Sequence, residues 1–151
     1  MKIAVACDHA GYHLKETIIN TIKLAGHDVI DLGTHSTASV DYPDFALKLG
    51  KSIQNNNAER GVLICGSGVG ACIAANKIKG VYAAICHDTY SAHQGVEHDD
   101  MNVLCLGSRI IGQELAKEIV KAFLNAAFSS DERHLRRVSK YKQLENDLNL
   151  Q

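Results

Sequence analysis

Residues 62–70 read Val62-Leu63-Ile64-Cys65-Gly66-Ser67-Gly68-Val69-Gly70, an apolar run that stops on a turn of alternating glycines. Four apolar residues bounded by Gly61 and Gly66 suit a strand buried on both faces, as in a parallel sheet. The glycines let the backbone turn tightly and aim several N–H groups at one point, a concavity that holds an anion without a charged side chain. A short helix to about Asn76 follows. Strand, turn and helix together make the repeating unit of α/β folds.

The unit recurs on both sides. Ile3 to Cys7 is a β-leaning run, then Leu14, Ile18 and Ile22 mark one helical face and Gly26 its stop. Val29 to Leu32 reads as the second strand, and after Pro43 a helix carries Phe45, Leu49 and Ile53. Val81 to Cys86 and Asn102 to Leu106 read as the fourth and fifth strands, followed by a helix with Leu115, Ile119, Val120 and Phe123. A charged tail from Asp131 to Asp147 has Leu135, Val138, Tyr141 and Leu144 at helical spacing. The pattern predicts a doubly wound, Rossmann-like three-layer α/β sandwich with a five-stranded parallel sheet and an extra C-terminal helix. A single domain over 1–151 is expected, its helix over 131–147 packing on a partner subunit.

Composition narrows the function. With 16 basic against 17 acidic residues there is no general pull towards nucleic acid or a membrane surface, so anion binding must be local. The five cysteines are odd in number, lack a C-x-x-C pair and mostly sit in apolar runs, which predicts reduced thiols in a cytoplasmic protein. The opening MKIAVACDH is too soon polar for a signal peptide, and no run approaches membrane-spanning length.

In such folds ligands bind beyond the carboxyl ends of the strands. That rule singles out Asp8-His9-Ala10-Gly11, Cys65 to Gly70, and His87-Asp88. Cys65, ahead of a helix N-terminus, is placed for thiolate formation and hence for service as nucleophile or base; alternatively it merely ends a buried strand. Gly66-x-Gly68-x-x-Ala71 with Asp88 also fits a dinucleotide fingerprint, although the turn follows the third strand rather than the first. Asp8-His9 is an acid–base pair, or a helix cap beside a solvated loop residue. His98 among Glu97, Asp99 and Asp100, just before strand five, is a candidate proton donor or surface decoration. His87, Asp88, His98 and Asp99 are metal-ligand types, but their spacing matches no ligand motif and no metal is expected. Arg133 and Arg137, at i and i+4, put two guanidinium forks on one helical face, suited to a phosphate dianion or simply to solvent. Arg109 is a further phosphate candidate.

These elements together resemble the ribose-5-phosphate isomerase B family, in a group that also holds galactose-6-phosphate isomerase subunits. The matching pieces are Cys7-Asp8-His9-Ala10-Gly11, Asp41-Tyr42-Pro43, CGSGVG at 65–70, Ala74-Ala75-Asn76-Lys77, Asn102-Val103-Leu104, Gly107-Ser108-Arg109, and Arg133-His134 with Arg137. The resemblance implies a cofactor-free aldose–ketose isomerisation through an enediolate. It also implies a homodimer, sometimes a tetramer, whose site takes residues from both subunits. It makes Cys65 the base, the amides of Gly66, Gly68 and Gly70 the oxyanion hole, and Ser67 the shuttle of the hydroxyl proton. His98 with Asp8 assists ring opening. His9, Arg133, Arg137 and a partner's Arg109 bind phosphate, and Asn76 supports the loop. Asp99 stands where the family usually has asparagine, which adds negative charge near a sugar hydroxyl. The substrate implied is ribose 5-phosphate, with galactose 6-phosphate or allose 6-phosphate as alternatives. Readings of another class are a dinucleotide module or a sugar-phosphate sensor.

Overall fold

Strands β1 (Lys2–Cys7), β2 (Asp28–Asp31), β3 (Arg60–Cys65), β4 (Ala83–Ile85) and β5 (Val103–Gly107) form one sheet in the order β2-β1-β3-β5-β4. Every pairing is parallel, with Val5 opposite Val62 and Val62 opposite Leu104 in the central register. The helices are α1 (Tyr12–Leu24), α2 (Tyr42–Gln54), α3 (Val69–Ala75), α4 (Thr89–Asp99), α5 (Gln113–Asn125) and α6 (Glu132–Asp147). This computed structural model describes residues 1–147; positions 148–151 of the expected domain lie outside the described residues.

The period of two along each strand sorts the core into two layers. Ile3, Val5, Cys7, Val62, Ile64, Leu104 and Leu106 pack with α1, α4 and α5 on one face. Ala4, Ala6, Leu63, Cys65, Val103 and Cys105 pack with α2 and α3 on the other. Strands covered on both sides have no polar face, which is why they read as unbroken apolar runs. Gly26 follows α1 at φ +83° and its N–H bonds to Lys23 O, a C-terminal stop that favours glycine.

Three readings need correction. β4 is three residues at an open edge, shorter than the run 81–86. Leu115 stays 43% exposed, so α5 rests on Ala116, Ile119, Val120 and Phe123 instead. The segment before strand five that holds His98, given no helix in the sequence pattern, is the last turn of α4, a helix that buries only Ala92 and Val96 and so carries a thin apolar signal. Helix α6 also makes contacts within its own chain. Tyr141 donates to Asp99 O at 2.7 Å, Lys142 pairs with Asp100 at 2.9 Å, and Glu145 accepts from Gly80 N and Tyr82 Oη. Leu135 and Leu144 on that helix remain exposed.

Candidate active site

From β1 the sheet grows outward to β2, and from β3 it grows the other way to β5 and β4. The reversal opens a crevice at the carboxyl ends of β1 and β3, where such sheets hold ligands. Cys65 closes β3 there and Asp8 follows β1. The Cys65 thiol donates to Asp8 Oδ2 at 3.1 Å, while Asp8 Oδ1 accepts from the amides of Ala10 and Gly11, each at 3.0 Å. Asp8 therefore holds the turn into α1 and the thiol at once. Both side chains are buried. Burial first, then the hydrogen bond and charge of Asp8, push the Cys65 thiol above its ordinary pKa; the amides of Gly68 and Gly66 oppose this more weakly. The expectation of a resting thiolate is thus corrected: the short α3 does not outweigh burial beside a carboxylate.

The glycine turn is shaped by its surroundings. Gly68 lies at φ +83°, and a Cβ there would sit 3.2 Å from Leu106 C, so the backbone conformation and the space both call for glycine. A Cβ on Gly70 would meet the Tyr42 ring at 2.7 Å, which places that ring over the loop. Ser67 is exposed, its Oγ accepting from Val69 N at 3.3 Å. Ser108 ties three strand ends together: its N–H donates to Cys65 O and its hydroxyl to Ala10 O. Arg109 donates its amide to Gly66 O, and its guanidinium carbon lies 3.5 Å from where a Gly66 Cβ would be. Within this chain it lies beside its own glycine turn.

His9 accepts at Nδ1 from Val40 N at 3.2 Å. It borders a cavity of about 520 Å³ that also takes in His13, Thr37, Ser108, Arg109 and Gln113. His13 and Thr37 carried no sequence signal, because nothing in the local pattern places the 33–40 loop beside α1.

A second group stands elsewhere. His98 and Asp99 end α4, and Arg133 and Arg137 lie exposed on the first turns of α6. His98 stacks on His134, ring centroids 4.1 Å apart at 28°, and its Nδ1 is 2.9 Å from Gln94 Nε2. His98 precedes the start of β5, whereas Cys65 pairs with Gly107 at its end. Strand β5 spans roughly 13 Å at 3.3 Å per residue, so Asp8 and His98 of one chain do not meet. Within the chain Asp8 pairs with Cys65.

The remaining candidates are occupied. Asn76 pairs with both backbone groups of Ala83, Nδ2 to the carbonyl at 2.8 Å and Oδ1 from the amide at 2.9 Å, clamping α3 to β4 rather than touching the glycine turn. His87 Nε2 accepts from Gly107 N, and Asp88 caps α4 through Ser91 N at 2.7 Å. The cap removes Asp88 from the ribose role that a dinucleotide reading gives it. His87 and Asp88 sit at one end of α4 and His98 and Asp99 at the other, about 15 Å apart by helical rise, too far to share an ion.

The family model described as Ribose/Galactose Isomerase matches residues 3–141. Ribose-5-phosphate isomerase B of Escherichia coli is 43% identical over 148 residues, covering 98% of this chain and 99% of that protein. Ribose-5-phosphate isomerase B of Clostridium thermocellum superposes with a TM-score of 0.94 at 45% identity, over 98% of this chain and 99% of the other. The Mycoplasma genitalium enzyme of the same name, solved with bound ribulose-5-phosphate, gives 0.90 at 41% identity over 96% of each chain. A match running from β1 into α6, on a sheet whose switch point carries the thiol, carboxylate and glycine turn, places this chain in the ribose/galactose isomerase family.

Proposed function

We propose that this chain interconverts ribose 5-phosphate and ribulose 5-phosphate through an enediolate, with Cys65 moving the proton between C2 and C1. The observation that carries the reading is the hydrogen bond from the Cys65 thiol to Asp8 at the mouth of the glycine turn. Asp8 Oδ2 takes the thiol proton, the thiolate takes the hydrogen from C2, and the bonding pair enters the C1–C2 enediolate. Amides of Gly66, Gly68 and Gly70 hold the developing oxyanion, and the Ser67 hydroxyl carries the proton from O2 to O1. Cys65 then delivers its proton to C1 and recovers the first one from Asp8. The hydrogen lost from one carbon returns to its neighbour, so no redox equivalents are consumed.

His98 and the paired guanidiniums of Arg133 and Arg137 lie too far from Cys65 in one chain. In this reading they act in trans: the partner's His98 opens the furanose ring, and the partner's Arg133 and Arg137 join His9 and Arg109 on the phosphate. Val69 and Ile73, on the helix behind the glycine turn, are 50% and 58% exposed, an apolar face suited to a second copy. The assembly is a homodimer or a tetramer of such dimers, and phosphate held away from the reacting carbons orients them. All five cysteines are free thiols, which fits a cytoplasmic setting.

The test is to add purified protein to ribose 5-phosphate with EDTA and no cofactor, and to follow ribulose 5-phosphate. Rapid turnover supports the reading. Turnover only with galactose 6-phosphate or allose 6-phosphate moves the substrate within the family. Binding without any turnover overturns catalysis in favour of a sensor.

A further inference from the structure

His98 is held by two residues that the proposed chemistry does not itself use. One turn earlier on α4, Gln94 presents Nε2 to His98 Nδ1 at 2.9 Å. An amide nitrogen only donates, so Nδ1 accepts and the ring carries its hydrogen on Nε2. On the other side the His134 ring stacks at 4.1 Å. His134 is 2% exposed and fixed at Nδ1 by Ser129 Oγ at 2.7 Å. Two imidazoles at that separation resist both being charged.

We propose that Gln94 and His134 are positioning residues that fix the ring of His98 and its tautomer, with the hydrogen on Nε2 aimed out of the stack as a hydrogen-bond donor. This rests on the ring-opening role given above to His98 and specifies the form in which it acts. Burial first, then the charges of His98, Arg133 and Arg137, lower the His134 pKa, against the opposing charge of Asp131. Glu97 on α4 is turned to His93, and the α5 charges pair among themselves as Lys117–Glu114 and Lys121–Glu118.

Long-range ¹⁵N–¹H NMR of the imidazoles reads the tautomer directly. In the native protein His98 is expected to show a protonated Nε2 and a bare Nδ1. Gln94→Glu, which offers an acceptor instead of a donor, is expected to move the hydrogen to Nδ1, and Gln94→Leu to give a mixture. His134→Ala removes the stacked ring and is expected to give His98 a mixture of tautomers, whereas His134→Phe, which keeps a ring there, is expected to preserve the proton on Nε2. A His98 tautomer indifferent to both Gln94 variants, or to His134→Ala, overturns the proposal. Kinetics separate it from the ring-opening reading. Ribulose 5-phosphate is acyclic because its C5 oxygen carries the phosphate. Gln94→Glu is expected to lower kcat/KM on ribose 5-phosphate about tenfold, with less effect on turnover started from ribulose 5-phosphate. A tautomer that moves while both directions slow equally supports the positioning and removes the ring-opening role from His98.

Discussion

Cys65 and Asp8 are joined by a 3.1 Å thiol–carboxylate hydrogen bond that links the end of β3 to the end of β1. A base that rests as a thiol needs an acceptor for its proton, and Asp8 is already oriented by two amides on its other oxygen. Cys65→Ala is therefore expected to lower kcat by about a thousandfold or more while ribose 5-phosphate still binds. The check is a turnover assay paired with calorimetric titration. Weakened binding at unchanged kcat would remove Cys65 from the proton transfer.

Asp8→Asn has a less obvious consequence. Asparagine keeps an oxygen for the amides of Ala10 and Gly11 but loses the charge that pushes the thiol pKa up. The Cys65 pKa should fall, so its alkylation by iodoacetamide near pH 7 should quicken, while isomerase turnover drops because the proton acceptor is gone. A variant that is slower in both assays contradicts the assigned pairing.

Cys72, not Cys65, is expected to be the first thiol modified in the free protein. It is half-buried on α3, and a hydrogen bond from Cys105, opposed by burial and helped by Ile85 N–H and Asn76, lowers its pKa. Cys7 and Cys86 are pushed by burial to about 11 and should stay inert until the chain unfolds. Limited alkylation near pH 7 followed by peptide mass spectrometry gives the order; equal labelling of all five contradicts these environments.

Arg60 supplies a stability test away from the site. Its guanidinium donates to Phe123 O at 2.6 Å and Ala126 O at 2.8 Å, satisfying carbonyls at the end of α5, and lies over the Phe123 ring. Arg60→Met keeps the stem and removes the donors. The expected loss is about 2 kcal/mol, read as a lower urea midpoint at unchanged slope, with turnover of the folded enzyme retained.

The sheet was legible because its central strands are apolar on both faces and end in glycines or acids, so Ile3–Cys7 and Val62–Cys65 declare themselves. Helix α4 was not, since two buried residues, Ala92 and Val96, leave no stripe to read. Candidate site residues at strand ends are legible by position alone, as the meeting of Asp8 and Cys65 shows. Gln94, His134, Tyr42 over Gly70, and the 33–40 loop against His9 depend on tertiary contacts between distant segments. For the same reason the pairing of Asp8 with Cys65 instead of His98 appears only once β5 is seen to separate the two groups.

That separation leads to a test of shared sites. Cys65→Ala and His98→Asn chains should each be nearly inactive as homodimers. When the two are unfolded and refolded together, a mixed dimer unites the intact Cys65 of one chain with the intact His98 of the other. With half the dimers mixed and one working site in each, about a quarter of native activity should return. Arg137→Ala, which should mainly raise KM for ribose 5-phosphate, should complement Cys65→Ala in the same way, because Arg137 travels with His98 and not with the thiol. Recovery near zero in both mixtures, with mixed dimers demonstrated by native mass spectrometry, would mean that each chain assembles its site alone. It would also mean that His98 serves the site of its own chain, against the separation that β5 imposes.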